Sequence, residues 1–181
     1  HTPKSRSDAT SARKRFAFEE VFLIQLGNEG RKALLSREHA FLIEPGADVI
    51  EEFVSRFAFP LTNAQKRAIE TIFGDMKRGT PMSRLLEGDV GSGKTAVAAT
   101  TAHAVASSRP RGQDFGTLQV AYMAPTEILA KQHFEAFCAL SAGTLTPIGL
   151  ITGSGCRKFP SKVDPSGSTP ISRAQLLKWV A

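Results

Sequence analysis

Two cysteines, one tryptophan, one tyrosine and three methionines are spread over 181 residues. Cys138 and Cys156 have neither metal-ligand spacing nor a disulfide framework, so zinc-ribbon and disulfide-stapled classes are excluded. The histidines (His1, His39, His103, His133) are scattered and form no ligand pair. No apolar run approaches the roughly 20 residues that span a bilayer, so no membrane partner is expected. No methionine precedes Met76, and we expect the chain to be a piece of a longer protein. The opening stretch 1–15 is basic and Ser-rich, as a transit peptide can be, but it is read as a frayed end running into a helix. Acidic residues are also scarce in the second half. After Thr95 only Asp114, Glu127, Glu135 and Asp164 occur, and none forms a D-E pair closing an apolar strand.

What is present is ordinary for a globular chain: 41% hydrophobic and 22% charged residues, enough for one modest domain or one domain and part of another. Net charge is +6, and the basic excess lies wholly after residue 60, where fourteen Lys and Arg face eight Asp and Glu. An anionic partner and an ordinary solvated surface both fit that balance. With two unpatterned cysteines, a reducing cytoplasm is the expected location.

Apolar positions at helical spacing predict a helix over 11–27, with Gly27 and Gly30 interrupting it. A short helix is expected over 48–56. From Phe59 the pattern changes. Helices are expected from Thr62 to about Arg78, from Lys94 to about Ser107, and from Pro125-Thr126 to about Leu140. Short apolar strands are expected at 83–87, 118–123 and 147–151, a long loop over 153–170, and a last helix from near Ile171. Cys138 falls in an apolar helical stretch and Cys156 in the loop. Strands alternating with helices predict an α/β fold with a parallel sheet and flanking helices. Three strands are thin for that architecture and would leave unpaired edges, which reads as the front of a larger domain.

Gly88-Asp89-Val90-Gly91-Ser92-Gly93-Lys94-Thr95 matches the P-loop pattern G-x-x-x-x-G-K-[ST]. Glycines let the backbone take positive φ and approach phosphate oxygens without a Cβ in the way. Successive N–H groups then form an anion cradle at a helix N-terminus. Gly88, Gly91, Ser92 and Gly93 supply the loop, Lys94 a point charge for the outer phosphates, and Thr95 a hydroxyl for Mg²⁺. A plain Gly-rich turn is the alternative, and a strand before and a helix after favour the P-loop. Thr62 and Gln65 have two readings that remain open: a helix capping box, or an amide that reads adenine by accepting from N6–H and donating to N7. Ala124-Pro125-Thr126-Glu127, and Thr152-Gly153-Ser154 after the third strand, have the chemistry of helix or turn caps. They equally offer free N–H groups to a nucleic-acid phosphate.

Four stretches resemble the RecG branched-DNA helicases of superfamily 2: 61–65, 82–95, 123–134 and, more weakly, 12–20. The resemblance implies that residues 59–181 are the first part of a RecA-like motor domain. It also implies that 1–58 is a helical linker from an upstream DNA-wedge domain. It implies ATP with Mg²⁺ as cofactors, Lys94 as the catalytic lysine, and Thr62 and Gln65 in adenine recognition. Pro125, Thr126 and Glu127, with Thr152 and Gly153, would lie along translocated DNA. The substrates implied are stalled forks and Holliday junctions, handled by a monomer. The missing acidic pair departs from a complete motor, so the chain by itself is expected not to hydrolyse ATP. Competing readings are a coupling-factor-type translocase, a small nucleotide kinase, and a non-catalytic nucleotide- or DNA-binding remnant.

Overall fold

The computed structural model describes residues 5–144 and 146–180. Its elements are α1 (Arg6–Leu35), α2 (Ala47–Val54), α3 (Asn63–Met76), α4 (Lys94–Ala106), α5 (Glu127–Leu140), β1 (Ile148–Thr152), β2 (Gly155–Phe159), β3 (Thr169–Ile171) and α6 (Arg173–Val180).

The first helix is longer than the expected 11–27. It opens on a capping box between Ser5 and Asp8 and runs unbroken through Gly27 and Gly30. Each glycine costs about 1 kcal/mol relative to alanine in a helix, and good helix formers with a Lys32–Glu29 ion pair at 2.6 Å follow them. No residue of α1 is buried, and Phe16, Phe18, Phe22 and Leu26 are all exposed.

Two small cores organise the remainder. In the first, Leu61, Ile69 and Ile72 of the α3 region meet Ala96 and Val97 of α4, with Val54, Phe57 and Leu86 packed against them. Alanines at 96, 99 and 104 are buried and let neighbouring backbones approach α4 closely. Thr100 is fully buried there and satisfies its hydroxyl by donating to Ala96 O at 2.9 Å. Helix α2 lies on α4 through Phe53, whose ring stacks face to face on His103 at 4.1 Å between centroids. In the second core, Phe134 of α5 packs on Leu150 and Phe159 of the sheet. The fully buried Leu176 of α6 sits over Gly149, where a Cβ would come within 2.9 Å of it. Arg56 joins the two halves, donating from Nη1 to Ala142 O at 2.6 Å and to Leu140 O at 3.4 Å.

The sheet differs from the expected one. Among the described residues it has three strands in the order β1-β2-β3, all antiparallel. Of the expected strands only 147–151 forms, as β1, and its neighbours come from the stretch expected to be loop. The segments 83–87 and 118–123 form no strand. β1 and β2, by contrast, close through a tight turn with little loop entropy to lose. Within 83–87, Leu86 tucks into the first core while its neighbour Leu85 is 80% exposed. In β2, buried Cys156 and Phe159 flank an exposed Arg157. Cys156 is therefore a strand residue rather than a loop one, while the half-buried Cys138 thiol is pushed up to about 11 by desolvation and is no nucleophile at neutral pH.

His103 ties acid stability to the α2–α4 contact. Burial under Phe53, with Arg56 nearby, holds its pKa below 6.5, while Glu52 opposes the shift. Its Nδ1 is buried without a hydrogen-bond partner. The unfolded chain therefore binds a proton that the folded chain refuses, and stability falls as pH drops below about 6.5 toward the folded pKa. Thermal melts between pH 7.5 and 5.5 should show this decline, and His103→Phe should flatten it. An equal decline in that variant would place the acid sensitivity elsewhere.

Candidate nucleotide and nucleic-acid site

The loop from Gly88 to Thr95 joins the segment 82–88 to α4. Arg84 anchors that segment by donating from Nε to the buried Asp75 of α3 at 2.6 Å, and Arg78 pairs with the same carboxylate at 3.3 Å. Arg78 stands at the i,i+3 ion-pair spacing from Asp75, whereas Arg84, nine residues on, is linked to it by no periodicity.

Gly91 and Gly93 both take left-handed φ, at 81° and 79°. Gly93 is the N-cap of α4 and supplies no side-chain cap, so the first amides of α4 are free of one. At Gly88 a Cβ would come within 2.6 Å of Ser92 Oγ, and at Gly93 it would overlap Gln65 Nε2. The loop is thus closed to side chains and rich in amides, which is the chemistry a triphosphate needs. Lys94 folds back over it. Its ammonium donates to Gly88 O at 2.6 Å and Asp89 O at 2.7 Å. Thr95 is partly buried in the first turn of α4. No cluster of three or more His, Cys, Asp or Glu suited to a metal exists among the described residues.

Thr62 and Gln65 form a complete capping box at α3. Thr62 N donates to Gln65 Oε1 at 2.8 Å and Gln65 N donates to Thr62 Oγ1 at 3.3 Å. The buried Gln65 also reaches the P-loop, donating from Nε2 to Ser92 O at 2.9 Å. One lone pair and one N–H of the amide remain for a further partner. Capping and loop contact therefore occur together.

The remaining candidates converge on a second locus. Thr126 caps α5 by accepting from Leu129 N at 3.3 Å. As the first helical residue, Glu127 has no intrahelical acceptor for its own N–H. Its carboxylate turns the other way. It accepts from Lys131 Nζ at 2.7 Å, from Ser154 N at 3.2 Å and from Ser154 Oγ. Those bonds, Lys131 first and Ser154 next, hold its pKa below the usual carboxylate value although it is exposed. Thr152 closes the neighbouring turn by donating from Oγ1 to Gly155 O at 2.9 Å, and Gly153 lies 3.6 Å from Glu127 Oε2 through the Cβ it lacks. Residues 125–127 and 152–154 are thus brought together. Ser154 closes the Thr152-Gly153-Ser154 run that sequence offers as a cap or phosphate contact, but its bonds to Glu127, 27 positions away, carry no sequence signal. Asp164, one of the few acidic residues after Thr95, closes a local turn by accepting from Ser166 N at 2.9 Å.

Residues 62–163 match the DEAD/DEAH box helicase family. The ATP-dependent DNA helicase RecG of Staphylococcus aureus strain MSSA476 is 42% identical over 155 residues, covering 85% of this chain and 21% of that protein. The RecG of Aquifex aeolicus is 40% identical over 141 residues, covering 78% and 17%. That of Synechocystis is 35% identical over 155 residues, covering 85% and 18%. The chain spans about a fifth of the length of the curated relatives it matches. No solved structure matches it.

Proposed function

The chain belongs to the DEAD/DEAH box helicase family as a piece of a RecG-type helicase, and from that premise we propose that it is the ATP-binding front of a motor acting on branched DNA. Residues 59–181 are the opening part of the first RecA-like domain, whose parallel sheet is completed by strands flanking the segments 83–87 and 118–123. Residues 1–58 lead in from a DNA-wedge domain. The parent is a cytoplasmic monomer that translocates on forks and Holliday junctions in recombination and repair.

One observation carries this reading: two left-handed glycines open α4 without a side-chain cap, under a lysine whose ammonium faces the loop. Gly88, Gly91 and Gly93 present main-chain N–H groups to the phosphates, and Ser92 N–H joins them on exchanging its partner Asp89 O, 3.1 Å away. Lys94 exchanges its two carbonyl partners for phosphate oxygens, and Thr95 offers its hydroxyl to Mg²⁺. Bound Mg²⁺ supplies charge neutralisation between the outer phosphates. Thr62 positions Gln65, whose spare lone pair and N–H face the adenine edge while it holds Ser92. Pro125, Thr126, Glu127, Thr152 and Gly153 meet DNA phosphates through main-chain amides, with Glu127 contributing its N–H rather than its carboxylate.

Orienting the attacking water needs an acidic pair that this sequence does not contain after Thr95. The isolated chain is therefore expected to bind MgATP without steady turnover, while the full-length protein shows ATP hydrolysis stimulated by forked DNA. Equilibrium nucleotide binding and a phosphate-release assay on both proteins check this. Steady, Lys94-dependent turnover by the isolated chain would overturn the division of labour.

A further inference from the structure

We propose that Glu127 is a positioning residue: its carboxylate clamps the β1–β2 turn to the N-terminus of α5, so that two short runs of amides meet one DNA backbone as a single platform. The inference rests on the DNA reading above.

The carboxylate is unsuited to touch DNA itself, because a phosphate repels it. Its oxygens are spent within the protein. Oε2 accepts from Ser154 N at 3.2 Å, and Oε1 accepts from Lys131 Nζ at 2.7 Å and from Ser154 Oγ. Lys131 Nζ also donates to Ser154 Oγ at 3.0 Å, closing a ring of three side chains across 27 positions of sequence. The turn that this ring holds is exposed and short, with Thr152 paired to Gly155 in the register. Beyond the strands, its restraint comes from Thr152 Oγ1 on Gly155 O and from the Glu127 clamp. The clamp's bonds hold the Glu127 pKa below the usual carboxylate value, so the clamp persists into mildly acidic solution. Lys131 is neutralised in place, so it does not act as a loose cation beside the platform. Contacts made by main-chain amides are sensitive to placement, since a shift of about 1 Å is enough to lose much of what a fixed geometry provides.

The test uses the full-length protein with forked DNA, across a salt series, comparing wild type with Glu127→Ala and Glu127→Gln. Nucleotide affinity and melting temperature are measured on the same preparations. Glu127→Ala should weaken DNA binding about tenfold, the equivalent of about 1.4 kcal/mol of misplaced amide contact. Its salt dependence should be no shallower than that of wild type, because no phosphate-bound cation is lost and the Lys131 ammonium is released beside the platform. Nucleotide affinity and melting temperature should hold. Glu127→Gln keeps an oxygen for Ser154 N and should recover most of the affinity. Amide exchange at Gly153 and Ser154 should accelerate in Glu127→Ala alone. Tighter binding by both variants with a steeper salt slope would mean that the carboxylate merely repels DNA. Wild-type binding by Glu127→Ala, or parallel loss of nucleotide affinity and melting temperature, would equally overturn the proposal. Failure of the wild-type protein to bind forked DNA, with normal nucleotide binding, would instead remove the DNA reading on which this one stands.

Discussion

Replacing Lys94 with alanine in the full-length protein is expected to lower the rate of ATP hydrolysis by roughly 10²–10³-fold, the loss seen when one preorganised donor to developing charge is removed. The ammonium sits within 2.7 Å of two loop carbonyls, at Gly88 and Asp89. Those partners are neutral dipoles. Phosphate oxygens carry full charge, and charge-assisted hydrogen bonds are about twice as strong as neutral ones. The exchange is therefore favourable, and it moves the lysine only across the width of the loop. Alanine removes the charge but should leave the cradle, because the loop shape is set by positive φ at Gly91 and Gly93 and by Gln65 on Ser92 O. The variant's melting temperature should stay near wild type, since an exposed side chain with no buried packing seldom contributes more than about 0.5 kcal/mol. Arginine should not restore the rate, because a planar guanidinium cannot occupy the place of a compact point charge. Rapid-quench measurement of ATP cleavage with saturating forked DNA checks this. Wild-type turnover by Lys94→Ala would overturn the assignment of the P-loop.

The loop was legible in sequence because its chemistry is local: glycine, lysine and threonine at fixed offsets leave few alternatives for the backbone between a strand and a helix. The capping residues Thr62 and Thr126 were legible for the same reason. Thr62 and Gln65 show the limit of such reading. Sequence let capping and adenine reading coexist only with Gln65 outside the cap, whereas Gln65 caps α3 through Oε1 and holds Ser92 O through Nε2 together. The sheet was less legible because strand pairing is a property of two segments. Leu85, Leu86, Val120 and Tyr122 read as strand, but pairing depends on neighbours. The residues 155–159 and 169–171 looked like loop because Gly, Ser and Pro surround an alternation only five residues long. Glu127 was legible as a helix-start residue, yet its side-chain bonds depend on Ser154, which only the folded chain brings to it.

The other large effect is on stability, at Phe53. It is 2% exposed, stacked on His103 at 4.1 Å and edge-on to Phe57 at 5.7 Å, and so it fixes α2 on α4. Phe53→Ala removes a full ring from a buried site between the His103 and Phe57 rings, which costs about 3–5 kcal/mol. Against a total stability of about 5–15 kcal/mol, that is a large share, and it corresponds to a melting shift of about 10 °C for a chain of this size. Phe53→Leu, which refills most of the volume, should lose far less. A second readout separates packing from electrostatics. The ring is also what keeps water from His103 Nδ1, so in Phe53→Ala the imidazole is rehydrated and its pKa returns toward 6.5. The folded and unfolded chains then bind protons alike, and the acid sensitivity of wild type should shrink in the variant. Melts of both proteins at pH 7.5 and pH 5.5 decide it. If Phe53→Ala were as acid-sensitive as wild type, or melted within 2 °C of it at pH 7.5, the stacked ring would not be the contact that seats α2 on the helix carrying the P-loop.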